Sequence, residues 1–233
     1  MKIQEKLNLE TSVLYAELEK CIPELTRRYN ENLPEHKQDS LSVFRAMCGD
    51  DFPLEPNKGI VFYGRANNGW NSENDLTTEW LYSQLHRPFF NLLRNISEHF
   101  YPENWNTHIV WSNICKVVPM SEGNPNDELW FAQYDYMVDI LNKELEVLSP
   151  KIVVLVTGNY HYDSWDKPLF EIESDLKKHK LIDERWADNG RLKGQASLYK
   201  KNGRLYIITD RPERRKIKSH ADCIIDLIEK NLD

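Results

Sequence analysis

Four polar segments each follow a short apolar run, and each is rich in Asn, Gly, Arg or His, residue types that could do chemistry. The first is Gly64-Arg65-Ala66-Asn67-Asn68-Gly69-Trp70. Its glycines let backbone approach a ligand closely. Arg65 suits a phosphate, and Asn67 and Asn68 can each donate and accept, so they could orient a water or read a heterocycle edge. The same residues also suit a tight turn, since Asn tolerates the left-handed conformation. The spacing matches neither a dinucleotide fingerprint nor a phosphate loop. The second segment is Ser112-Asn113-Ile114-Cys115-Lys116, where the Asn113 carboxamide can pair with the donor and acceptor of a base edge or cap a turn. Lys116 would reach a phosphate or sit in solvent. The third, Thr157-Gly158-Asn159-Tyr160-His161, reads as a strand-to-helix turn, with His161 either titrating near neutrality or capping a helix. The fourth runs from Asp210 to Lys218 and holds Arg211, Arg214, Arg215, Lys216 and Lys218. Arginines suit bidentate phosphate contacts, although a solvated basic face has the same composition.

The elements that must position these segments are legible from the apolar pattern. Gly59–Tyr63, His108–Trp111, Lys151–Val156 and Arg204–Thr209 are β-branched or aromatic and do not alternate with polar residues. That pattern marks strands buried on both faces, as in a parallel sheet. Helical spacing separates them. Phe89, Leu93, Ile96 and Phe100 form one stripe. Trp130, Tyr134, Met137, Leu141, Leu145 and Leu148 predict one long helix, opened at Asn126 or Asp127 and closed before Pro150. Ala221, Ile224 and Ile228 predict a last helix capped by Ser219. Leu14, Leu18, Cys21 and Leu25 predict a first helix, broken or kinked near Pro23. Asn202-Gly203 between Gln195–Tyr199 and Leu205–Ile208 is a hairpin signal that adds an antiparallel strand. The alternation predicts an α/β fold with a mainly parallel sheet, and in such sheets ligands bind beyond the carboxyl ends of the strands. All four polar segments fall there.

Composition sets the outer limits. The 233 residues hold 30 basic and 37 acidic side chains, a net charge of −7, with 40% apolar and 29% charged residues. This excludes a disordered chain and suits one domain over 1–233, with 1–50 as an N-terminal helical extension. No leader is expected in MKIQEKLNLE, which lacks an apolar core. No apolar run is long enough to span a bilayer, so a cytoplasmic protein without a membrane partner is expected. Cys21, Cys48, Cys115 and Cys223 lack paired spacing, so buried reduced thiols are expected, with no metal or other cofactor. The acidic balance opposes broad coating of nucleic acid but leaves room for a local grip near Arg211–Lys218.

Taken in order, the four segments resemble those of the uracil-DNA glycosylase superfamily. The likeness covers roughly residues 59–228. The superfamily's first strand ends in Gly-x-Ala/Asp/Asn-Pro, and this chain reads Gly64-Arg65-Ala66-Asn67. Its Thr-Asn-x-x-Lys stretch corresponds to Ser112-Asn113-Ile114-Cys115-Lys116, followed by Pro119 and Gly123-Asn124-Pro125. Its Pro-Lys-x-Ile-Val-x-Leu-Gly stretch corresponds to Pro150–Leu155 leading to Gly158, and Asp210-Arg211-Pro212-Glu213 stands in place of a His-Pro-Ser segment. Ala66 stands where the strongest glycosylases carry a carboxylate, and Arg211 where they carry His.

The resemblance implies a three-layer α/β/α sandwich and a site that cleaves or binds a flipped or free nucleobase. It implies that Asn113 reads the base, with Gly64, Arg65, Ala66, Trp70 and Lys116 completing the binding set. Asn67 or Asn68 would position water, Arg211 would stabilise the departing base, and Arg214 and Arg215 would hold phosphate. Trp70, Tyr63 and Trp111 are candidates for stacking on the base. The implied activity is DNA-repair base excision by a hydrolase without the usual carboxylate. The alternative is a catalytically silent protein that binds single-stranded nucleic acid or a nucleotide, and a small non-nucleic substrate is a third reading.

Overall fold

The computed structural model describes residues 2–55, 58–66, 78–120, 124–158, 183–187 and 194–232. A seven-stranded sheet forms the middle layer. Its strands are β2 (Met47–Cys48), β3 (Ile60–Gly64), β4 (Ile109–Asn113), β6 (Ile152–Leu155), β7 (Asp183–Ala187), β8 (Gly194–Lys201) and β9 (Arg204–Thr209), in the spatial order β2-β4-β3-β6-β9-β8-β7. The inner strands β4, β3, β6 and β9 run parallel. Antiparallel β2 closes one edge, and the β9-β8-β7 meander closes the other. A separate short ladder joins β1 (Leu41–Val43) to β5 (Val117–Pro119).

The inner strands lie where the unbroken apolar runs predict them, because helices cover both faces. Ile60 and Phe62 point to one core shared with α3 (Pro88–Phe100) and α6 (Ile217–Glu229). Val61 and Tyr63 point to the opposite core, shared with α1 (Ile3–Asn30) and α5 (Tyr134–Leu148). A strand buried on both faces has no polar face for chemistry, so only its ends remain. The Asn202-Gly203 hairpin forms as expected, with both residues at positive φ (52° and 77°) and Lys201 opposite Arg204. Cys48, Cys115 and Cys223 are buried free thiols, and Cys21 is half-buried with its Sγ 3.0 Å from the Tyr136 hydroxyl.

Four expectations are corrected. The predicted single helix over 127–148 is two, α4 (Asp127–Ala132) and α5, joined at Gln133 (φ −97°, ψ 0°). Gln133 is fully buried, and its carboxamide bonds the Lys116 and Val117 amides and the Val117 carbonyl, so the helix axis gives way to a fixed side chain. Asn126 does cap α4, accepting from Leu129 N–H at 2.9 Å. The last helix starts at Ile217 after Lys216, with no side-chain cap, so Ser219 lies inside it. Residues 1–50 are no mere extension. α1 packs on α5, β2 pairs with β4, and Ile3, Leu7, Ala46 and Cys48 belong to the core. Among the described residues, no helix is long and apolar enough to cross a membrane.

α1 also continues unbroken through Pro23, where a break or kink is expected. Pro23 is exposed, and without an N–H it leaves the Glu19 carbonyl without its helical donor. Pro23→Ala is therefore expected to raise stability by about 1–3 kcal/mol, read as a higher denaturant midpoint with unchanged slope.

Candidate functional site

The parallel strands deliver their ends to one edge: Gly64 from β3, Asn113 from β4, Leu155 from β6 and Thr209 from β9. The β3–β4 pairing continues one step further, with Ile114 N–H on the Gly64 carbonyl and Cys115 N–H on that of Arg65, both at 2.9 Å. A cavity of about 380 Å³ opens there. Gly64, Arg65, Ala66 and Asn113 line it from the strand ends, with Trp111 and Val156 beside them. Arg87, Pro88, Phe89 and Phe90, at the start of α3, form a second side. Arg211, Pro212 and Glu213 form the third, and Asn124 also lines it.

Asn113 is the most informative residue in it. It is 1% exposed, and its Nδ2 has no hydrogen-bond partner among the described residues. A buried amide left unsatisfied typically loses about 1–3 kcal/mol, so this N–H₂ is poised for a ligand's acceptor. Gly64 makes the arrangement fit: a Cβ there would stand 2.5 Å from Asn113 Oδ1. Aromatic rings stand beside the amide. Phe90 meets Trp111 edge-on at 4.8 Å and Phe89 at 5.2 Å, and Phe89 Cε2 would lie 3.5 Å from that same Cβ. The cavity thus offers one buried donor–acceptor amide, Asn113, beside aromatic walls, a composition that suits a small-molecule pocket.

The basic segment divides. Arg211 lines the cavity and pairs with Glu213 at 2.9 Å. Arg215 is spent on structure, bonding the Arg211 carbonyl and, at 3.3 Å, Asp210, whose carboxylate also accepts from Gln195 N–H. Arg214, held at φ 63°, lines a neighbouring depression with Arg65 and Gly158 instead. Arg65 touches both hollows and donates Nε–H to the Thr157 carbonyl. Behind β9, His220 Nε2 lies 2.6 Å from Thr209 Oγ1. Thr209 donates onward to the Gln195 carbonyl, so Nε2 carries the proton. Burial, helped by Arg215, pulls the His220 pKa down to about 4, so the ring is neutral at pH 7.

Lys116 is corrected. It is neither at a phosphate nor in solvent but fully buried, away from the cavity. Its Nζ lies 2.7 Å from Glu144 and 2.8 Å from Ser112 Oγ, while Ser112 donates to Glu144 at 3.0 Å and the Tyr15 hydroxyl approaches it at 3.4 Å. Burial lowers the Lys116 pKa and the adjacent carboxylate opposes that. Tyr63 is likewise no stacking wall: its ring lies in the α1–α5 core, where burial raises its hydroxyl pKa. Trp111 does line the cavity. Asn67, Asn68 and Trp70 lie outside the described residues, as do Asn159, Tyr160 and His161. The α3 start was missed as part of the site, although Arg87-Pro88 ahead of the Phe89 stripe is a helix-opening signal. Among the described residues, no cluster of His, Cys, Asp and Glu could hold a metal.

Two outcomes are expected. Lys116→Met strands a buried carboxylate and lowers stability by about 3–5 kcal/mol, most of it restored by adding Glu144→Met; equilibrium unfolding of the single and double variants checks this. Gly64→Ala pushes the Asn113 carboxamide aside and should weaken ligand binding about tenfold or more, with a far smaller effect on the unfolding midpoint.

A scan against protein-family models finds no match for this chain, and a search of curated proteins finds no significant relative.

Proposed function

We propose that this chain is a uracil-DNA glycosylase-like protein that takes a flipped or free nucleobase into the cavity at the carboxyl ends of its parallel strands. The observation that carries this reading is the Asn113 carboxamide: buried, without a partner for Nδ2, and lining a cavity flanked by Phe89, Phe90 and Trp111. A carboxamide presents a donor and an acceptor side by side, and that pair matches the edge of a base. Flat apolar walls fit a base's faces. Arg65, Ala66 and Arg211 complete the binding set, with Arg211 a fixed cation for charge on a departing base.

Binding without turnover is the second reading, favoured by the acid–base inventory. Glu213 is the single carboxylate lining the cavity among the described residues, and it is paired with Arg211. Ala66 offers nothing to activate water, and loss of a general base typically lowers rates by about 10²–10⁴-fold.

Calorimetry with free uracil and adenine tests recognition, and strand scission after alkali on uracil-, hypoxanthine- and mismatch-containing oligonucleotides tests excision. Base binding that weakens about tenfold or more in Asn113→Ala is the expected result. An unaltered affinity in that variant, or no binding of any base, overturns the reading. Binding without scission selects the silent form.

A further inference from the structure

A second hollow adjoins the base cavity, and base recognition does not use it. Its volume is about 400 Å³, and it shares Arg65, Arg211 and Glu213 with the first, so the two are compartments of one cleft. Their linings differ. The first holds Phe89, Phe90, Trp111 and Val156, whereas the second holds Arg65, Arg211, Arg214 and Arg215 against Asp210 and Glu213. Among the described residues that line it, this is a surplus of two positive charges, in a chain whose net charge is −7. These charges are not equivalent. Arg215 and Asp210 pair at 3.3 Å with both side chains mostly buried, and Arg215 also bonds the Arg211 carbonyl, so this pair frames the loop. Arg65 donates Nε–H to the Thr157 carbonyl. Arg211 and Glu213 pair at 2.9 Å in solvent, where an ion pair contributes little and is readily exchanged. Arg214 is exposed and makes no hydrogen bond or ion pair among the described residues. Its φ of 63° is one that non-glycine residues rarely adopt, and the turn that holds it is closed by Arg215 N–H on the Pro212 carbonyl at 3.1 Å. The loop thus presents one unmatched guanidinium, from a backbone held in a closed turn, beside the base cavity.

We propose that this hollow is a phosphate subsite gripped by Arg214, and that the cleft as a whole takes a nucleoside monophosphate. The base meets Asn113, the phosphate meets Arg214, and Arg65 and Arg211 stand at the border between them. The unpartnered Nδ2 of Asn113 is an independent sign that the cleft receives a ligand. A guanidinium presents paired N–H donors that match two phosphate oxygens. Charge selects the monoester. A terminal phosphate carries about −1.5 to −2 at pH 7, which answers the surplus of two in the hollow. A phosphate within a strand carries a single negative charge and brings further like charges toward an acidic chain. The ligand class rests on the base reading above; the phosphate subsite does not.

The test titrates the full chain with deoxyuridine, deoxyadenosine, their 3′- and 5′-monophosphates, the methyl esters of those monophosphates, inorganic phosphate and a short single-stranded oligonucleotide. At least one monophosphate is expected to bind about tenfold or more tightly than its nucleoside. Arg214→Gln should collapse that ratio and leave the nucleoside's own affinity unchanged. Arg214→Gly, which suits the positive φ and so keeps the turn, should do the same. Lys218→Gln, in the same basic segment but lining neither hollow, should leave the ratio intact. Equal affinities of nucleoside and monophosphate, or a ratio indifferent to both Arg214 variants, overturn the subsite and leave the base reading standing. Methyl esters or the oligonucleotide binding as tightly as the monophosphates overturn the monoester. Arg214-dependent binding of inorganic phosphate, without that of any nucleoside or monophosphate, sustains the subsite and overturns the base reading. No binding of any of these ligands overturns both.

Discussion

The ion pair between Lys116 and Glu144 is the constraint on which the site depends. Both charges are out of water, so each must keep its partner, and neither α5 nor the turn after β4 can shift without separating them. Ser112 stands in the same network, one residue before Asn113. The amide at the cavity is thus anchored through its neighbour to a helix on the far side of the sheet. Gly64 removes the atom that would otherwise occupy that amide's place. A ligand meeting Asn113 meets a group already held in position, which spares the entropy of ordering it on binding.

The sheet explains why polar chemistry gathers at one edge. With cores on both faces, its inner strands admit few polar side chains along their length, and the buried polar residues Ser112, Asn113, Thr157, Thr209 and Asp210 cluster where the strands end or just beyond. The arginines then sort by what surrounds them. Arg215 meets a buried carboxylate and becomes part of the loop's frame, whereas Arg87 meets none among the described residues.

Much of this was legible in the sequence. Unbroken β-branched runs gave the four inner strands because burial on both faces leaves no polar alternation. Asn202-Gly203 marked its hairpin because both positions need positive φ. What escaped was decided by contacts distant in sequence. No local pattern distinguishes Lys116 as an interior cation, since its partner lies 28 residues away. Gln133 interrupts an unbroken helical stripe where Lys116 and the first residue of β5 offer it three backbone groups. The α3 end of the cavity escaped because Arg87 and Pro88 read as a helix start, and nothing in their spacing says what that start faces.

The break at Gln133 joins three elements at one side chain. Through that one carboxamide α4 and α5 are tied to β5, and β5 continues directly from the turn that carries Lys116. Asn113 lies three residues before the Lys116 amide that Gln133 binds, so the strand end that lines the cavity is braced by it. The side made by Arg211 and Glu213 is braced by another side chain, Arg215, which bonds the Arg211 carbonyl and Asp210. Each of these two walls of the cavity thus hangs on a side chain that does not line it, so a change at Gln133 or Arg215 would alter the shape of the cavity without removing a group that a ligand there could touch.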